Sequence, residues 1–256
     1  MDIDSYDHGV PSWVDLQSSN PAAARQFYGG LFGWDVEEGP PEAGGYALAM
    51  LRGRAVAGIG PMMAPAPISF WSTYVNVDDA DAIAAVVPGA GGQVYMPPMD
   101  VMDVGRMAVF ADPAGAAFGV WQPGAHKGAG IVNEPNTLCW NELVTTDVEG
   151  CKAFYATVFG WGAATHGEGP SAYTEWQLGG RSIGGMMARP PQMPAEAPNY
   201  WGVYFAVEDC DAAVAKATGL GGSVALPPMD IEPGRFSLLA DPTGAMFSVI
   251  TMRSAT

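Results

Sequence analysis

Basic residues are scarce in this 256-residue chain: Lys and Arg number 11 against 27 Asp and Glu, for a formal net charge of −16. So acidic a surface repels phosphate backbones and anionic headgroups, which excludes nucleic acid and membrane surfaces as expected partners. Long apolar runs are missing as well. No stretch approaches the roughly 20 consecutive apolar residues that cross a bilayer, and the opening MDIDSYDHGV has neither the basic nor the apolar part of a secretory signal. A cytoplasmic protein is expected. The only cysteines, Cys139, Cys151 and Cys210, are odd in number and lack CxxC spacing. Neither a disulfide framework nor a zinc site is expected, and the three read as small buried hydrophobes. Histidine is equally rare. His8, His126 and His166 fall in the N-terminal arm, a linker and a loop, where solvated surface imidazoles are expected.

What is plentiful is apolar surface, at 48% of residues, enough for one large or two medium cores. An internal repeat decides for two. SWVDLQSSNPAAARQFYGGLFGW, from Ser12, realigns on CWNELVTTDVEGCKAFYATVFGW, from Cys139; WSTYVNVDDADA matches WGVYFAVEDCDA, PPMD recurs, and FADPAGAAFGV matches LADPTGAMFSV. The Gly/Pro-rich QPGAHKGAGIVNEPN between them has no apolar periodicity. The expected organisation is a first domain over 8–123, a linker over 124–136 and a second domain over 137–253.

Within each half, period-two alternation around Val14 and Leu16 predicts a strand, followed by a helix capped by Asn20 with Pro21 at its first position; Asp147 caps the matching helix. Short strands follow near Tyr46 to Leu51 and Ala55 to Pro61, and a second strand and helix run from Phe70 to Pro88. Asp112-Pro113-Ala114-Gly115 and Asp241-Pro242-Thr243-Gly244 suit type I turns closing the last hairpins. The PPMD segments are expected at a strand end and loop, with Arg106 and Arg235 pairing Asp100 and Asp230.

This order, with FYGGLFGW, VNVDDADA and FADPAGAAFGV, resembles the vicinal oxygen chelate superfamily of glyoxalases, bleomycin-resistance proteins and extradiol dioxygenases. The tandem layout is similar to an actinobacterial antigen and hydroxylase group within it. The resemblance implies an α+β fold of two glyoxalase-like domains, each of two βαβββ modules whose mixed sheet curls around a cavity. It also implies a small organic ligand.

With Val14 and Leu16 packing on helices, alternation turns Trp13, Asp15 and Gln17 into the cavity, and likewise Ser72, Tyr74, Asn76 and Trp121. In the second domain Trp140, Glu142, Tyr204 and Ser248 face inward. The plain alternative is that the aromatics fill a core. Against it, Asp15 and Glu142 are costly to bury beside indoles unless hydrogen-bonded or used. Metal-binding members of the superfamily carry His, Gln or Glu on the first strand, the strand opening the second module, the last strand and a middle strand. Here those places fall on Trp13, Ser72, Gly119 and Gly58 or Gly60, and on Trp140, Gly202, Ser248 and Gly185 or Met187. No metal site and no cofactor are therefore expected, although Asp15 with Gln17, or Glu142 alone, offers oxygen to a weakly held Mg²⁺.

Three functions remain open. One is a metal-independent lyase, isomerase or cyclase of secondary metabolism, with Asp15 or Glu142 as acid or base and Tyr74 or Tyr204 donating to a developing oxyanion. Trp13, Gln17, Ser72, Asn76, Trp121, Trp140 and Ser248 would bind the substrate. A second is a drug-sequestering protein that needs no acid–base pair. The third is a metal-dependent glyoxalase or dioxygenase. A monomer is favoured over a homodimer, since fusion of two domains can replace a dimer.

Overall fold

The computed structural model describes residues 1–253 except 64, 65 and 67. The first half forms β1 (Pro11–Ser18), α1 (Pro21–Phe32), β2 (Asp35–Glu38), β3 (Ala47–Leu51), β4 (Arg54–Pro61), β5 (Phe70–Asn76), α2 (Ala80–Val86), β6 (Gln93–Val101), β7 (Gly105–Ala111) and β8 (Ala117–Pro123). The second repeats it as β9 (Leu138–Thr145), α3 (Val148–Phe159), β10 (Gly162–His166), β11 (Tyr173–Leu178), β12 (Arg181–Ala188), β13 (Tyr200–Ala206), α4 (Cys210–Gly219), β14 (Ser223–Ile231), β15 (Gly234–Ala240) and β16 (Met246–Met252). Each half is one eight-stranded mixed sheet, ordered β2-β3-β4-β1-β5-β8-β7-β6 and β10-β11-β12-β9-β13-β16-β15-β14. The two modules of a half meet at an antiparallel pair, β1 with β5 and β9 with β13. Neither sheet closes into a barrel, so each has a concave and a convex face.

Local chemistry explains the element boundaries. The side chains of Asn20 and Asp147 accept from the amides of Ala23 and Gly150, and α1 and α3 end on Gly33 and Gly160 with φ of 71° and 70°, a left-handed exit that favours glycine. Asp112 Oδ1 accepts from the amides of Ala114 and Ala116 at 3.0 and 2.9 Å, holding the turn between β7 and β8. The two PPMD segments are not loops. They lie inside the outer strands β6 and β14, next to register shifts, because an edge strand tolerates prolines that donate no ladder hydrogen bond. Arg106 pairs with Asp100 at 2.8 Å as expected and also grips Asp81, at the start of α2, through two bonds of 2.8 and 3.0 Å.

The convex faces pack back to back, and α1 and α3 are sandwiched between their own sheet and the other domain. One core combines Phe27, Tyr28 and Phe32 of α1 with Phe205 and Phe247 of the second sheet and Cys210 and Ala217 of α4. The other combines Phe154, Tyr155 and Phe159 of α3 with Phe110 and Phe118 of the first sheet and Ile83 of α2. Between them Asn141 Nδ2 donates to Thr73 Oγ1 at 2.8 Å, joining β9 to β5 in a buried position. Trp34 and Trp161, just after α1 and α3, donate their indole N–H to the carbonyls of Asn136 and Gly9. No helix among the described residues is long and apolar enough to cross a membrane.

Candidate functional site

The inward-facing strand residues converge, in each domain, on one carboxylate held by two tyrosines and a tryptophan. In the first domain Trp13 Nε1 donates to Tyr46 Oη at 3.0 Å, and Tyr46 in turn reaches Asp15 Oδ2 at 3.5 Å. Tyr74, Gln17 and Ser72 stand around the same carboxylate, whose other oxygen has no hydrogen-bond partner. In the second, Trp140 Nε1 donates to Tyr173 Oη at 2.8 Å, and Tyr204 Oη donates to Glu142 Oε1 at 2.8 Å, with the Tyr173 hydroxyl beside the same carboxylate. Ser248, 3% exposed, is the cross-strand neighbour of Tyr204 on β16. Tyr46 and Tyr173 stand at the head of equivalent strands and were not singled out from the sequence. The signal was a tyrosine repeated at the start of matching short strands.

Burial raises both acids. Asp15 is pushed up to about 6 by desolvation, which outweighs the polar side chains around it that favour its charged form. Glu142 is raised for the same reason, opposed by Tyr204 and Tyr173. The tyrosines around them are raised as well, first by burial and next by the neighbouring carboxylate, so they remain hydrogen-bond donors.

The two concave faces differ. In the first, Trp13, Tyr74, Met107 and Trp121 pack with Ala129 into a third apolar core, and Leu48, Met96, Val109 and Val132 close over it. The segment after β8 folds back across this face. His126 lies between Trp13 and Trp121, with ring centroids 4.4 and 5.5 Å away, and Trp121 Nε1 donates to the His126 carbonyl at 2.9 Å. The expectation of a solvated His126 is therefore corrected: burial lowers it to about 4. The hollow expected in this half is filled by its own side chains. In the second, Trp140, Tyr173, Tyr200, Tyr204, Phe236 and Leu238 remain half-buried, and Glu142 lies 8% exposed beneath them. Asn76, predicted to face the ligand, instead holds the N-terminal arm, donating to the carbonyls of Tyr6 and Asp7 at 2.9 and 3.3 Å. His166, expected in a loop, ends strand β10 and lies 3.7 Å from Glu175.

The donor set does not fit a transition metal. Among the described residues, no three His, Cys, Asp or Glu come together. Space says the same: a Cβ at Gly58 would overlap the Tyr46 hydroxyl, one at Gly119 the Tyr74 ring, and one at Gly185 the Tyr173 hydroxyl. Glycine at the middle-strand and last-strand positions makes room for tyrosine, and any ligating side chain there would displace it.

Two open mixed sheets, each with a hydrogen-bonded carboxylate on its concave face, define a tandem glyoxalase-type protein. Residues 11–120 match the profile of the Glyoxalase/Bleomycin resistance protein/Dioxygenase superfamily and residues 138–250 that of a Glyoxalase-like domain; the chain belongs to this superfamily. It is 48% identical to CFP32 of Mycobacterium tuberculosis, over 96% of this chain and 95% of that protein. It is 40% identical to the anthracycline biosynthesis protein DnrV of Streptomyces peucetius, over 96% and 94%. Among solved structures it resembles the 2,3-dioxygenase LapB from Pseudomonas sp. KL28, with a TM-score of 0.67 and 14% identity over 96% of this chain and 94% of that one. The Mn(II)-bound glyoxalase from Novosphingobium aromaticivorans is also similar, with a TM-score of 0.65 and 15% identity over 97% and 86%. At these identities the likeness is one of fold.

Proposed function

We propose that the second domain is the working half of a cytoplasmic, metal-independent lyase, isomerase or cyclase of secondary metabolism that acts on a small aromatic or apolar metabolite. The observation that carries this reading is a buried Glu142, bonded to Tyr204 at 2.8 Å, on the floor of a half-open aromatic face whose counterpart in the first domain is filled. A carboxyl raised by burial holds its proton further into the neutral range, so Glu142 can give a proton to a substrate oxygen or carbon and take one back. Tyr204 and Tyr173 stay protonated and stabilise negative charge developing on a substrate oxygen. Trp140, Tyr200 and Phe236 offer flat apolar contact. The similarity to DnrV, an anthracycline biosynthesis protein, supports a polycyclic aromatic substrate. The mismatch of the donor set with a metal supports acid–base chemistry over the dioxygenase and glyoxalase chemistries named for the structural neighbours.

The test is turnover of aromatic polyketide intermediates by purified protein, with metal content measured by elemental mass spectrometry in the same sample. Glu142→Gln should abolish turnover while preserving binding, and a chelator should change neither. Stoichiometric metal lost together with activity would overturn the reading. Binding without turnover by the wild type would favour sequestration, in which the raised carboxyl has no use.

A further inference from the structure

Resting on the reading of the second domain as the working half, we infer that its concave face selects aromatic molecules that carry a basic nitrogen, with Glu175 as the counter-charge. Strand register is the starting point. Ala164, Glu175, Gly185, Glu142 and Gly202 are successive cross-strand neighbours on one face of β10, β11, β12, β9 and β13. Two carboxyl groups thus alternate with three of the smallest residues, their strands two sheet spacings apart, about 10 Å. The glycine between the two carboxyls seats the Tyr173 hydroxyl and the Trp140 indole, so that Glu175 and Glu142 flank an aromatic floor.

No Lys or Arg joins this row. The one basic group beside it, His166, is exposed at the rim, and its Nε2 lies 3.7 Å from Glu175 Oε1, too far for a hydrogen bond. The other oxygen of Glu175 accepts from Ser182 and, at 3.3 Å, from Gln177. Those bonds orient the side chain while leaving Oε1 free for a stronger partner.

The first domain supplies an internal comparison. Its corresponding row runs Leu48, Gly58, Asp15, Ser72. The glycine and the acid recur, but Leu48 takes the place of Glu175 and packs into the third core. Where the face is filled the position is apolar, and where it is open it is a carboxylate. A core position would favour leucine in both halves, so Glu175 is explained by what enters the open face. A protonated amine seated beside Glu175 Oε1 and the ring of Tyr173, which lies two residues along the same face of β11, gains a charge-assisted hydrogen bond and cation–π contact, whereas a carboxylate there meets Glu175.

Three flat probes of one size test this by fluorescence titration of the full chain: 9-aminoacridine, cationic at neutral pH; anthracene-9-carboxylate, anionic; and 9-anthracenemethanol, neutral. The cation should bind at least about tenfold more tightly than the anion, a difference of about 1.4 kcal/mol. Glu175→Gln should remove most of that preference, and Glu42→Gln, an exposed acid in the first domain, should leave it intact. A preference that survives Glu175→Gln, or equal binding of all three probes, would overturn the inference. If the neutral probe still binds and is weakened by Trp140→Ala, the reading of the second domain as the binding half stands without it. If no probe binds, or binding ignores Trp140→Ala, both fall.

Discussion

Replacing Asp15 by Asn should shift the balance of stability towards the mutant as pH rises from mild acid to neutrality. Asp15 is 5% exposed, one of its oxygens is buried without a partner, and burial raises it from 3.8 to about 6. The folded state therefore holds this proton more tightly than the unfolded chain. Stability from this group is fully present below pH ~4, falls as pH rises, and is lost above pH ~6. A shift of about two units corresponds to about 3 kcal/mol, at 1.36 kcal/mol per unit. Asparagine has no such proton. The difference in unfolding free energy between Asp15→Asn and wild type should grow by about 3 kcal/mol in favour of the mutant between pH 4 and 7, whatever constant offset the lost hydrogen bonds add. Urea denaturation at half-unit pH steps measures it. Taking the difference matters, because His126, lowered to about 4, gives wild type and mutant alike an opposite slope over the same range. A difference that stays flat with pH, or moves against the mutant, would refute the account of Asp15 as a desolvated acid.

Other expectations follow from the same geometry. Thr73→Val leaves the amide of Asn141 without its partner in the buried interface and should cost about 1–3 kcal/mol in denaturant unfolding. Gly185→Ala drives a methyl group into the Tyr173 hydroxyl and should destabilise by about 1–3 kcal/mol, and combining it with Tyr173→Phe should recover part of the loss, measured as a double-mutant cycle. Residues 1–136 expressed alone expose Phe27, Tyr28 and Phe32, and should aggregate or melt non-cooperatively in calorimetry, whereas co-expression with residues 137–256 should restore a soluble complex.

The repeat, the helix caps and the hairpin turns were legible because each rests on local chemistry: an acid or amide facing an orphan amide, an aspartate folding its own turn. Strand alternation also located Asp15 and Glu142 on the concave faces, since period two needs no tertiary information. What alternation does not reveal is whether a face is hollow. Filling of the first one depends on Trp121, on His126 from the following segment, and on Ala129 and Val132 beyond it, residues remote in sequence from Trp13. The sharing of helices between the two domains' cores was equally hidden. Phe27 and Phe154 announce a buried helix face, but which sheet buries it is decided by the back-to-back docking of two sheets. Glu175 was missed because it belongs to no motif, and only the register of β10 and β11 sets it beside His166.

Each half's leading helix fills a core that both halves share, and this constrains how the chain can change. A repeat whose concave face has been filled would ordinarily be dispensable, but here its removal would strip α1 from beneath Phe205 and Phe247 and take away the sheet on which Phe154 and Tyr155 rest. The repeat with the filled face must therefore persist as a wall for the other. Mutations on its concave side, by contrast, need only preserve packing, which leaves that side free to diverge while the chain as a whole keeps its two-part form.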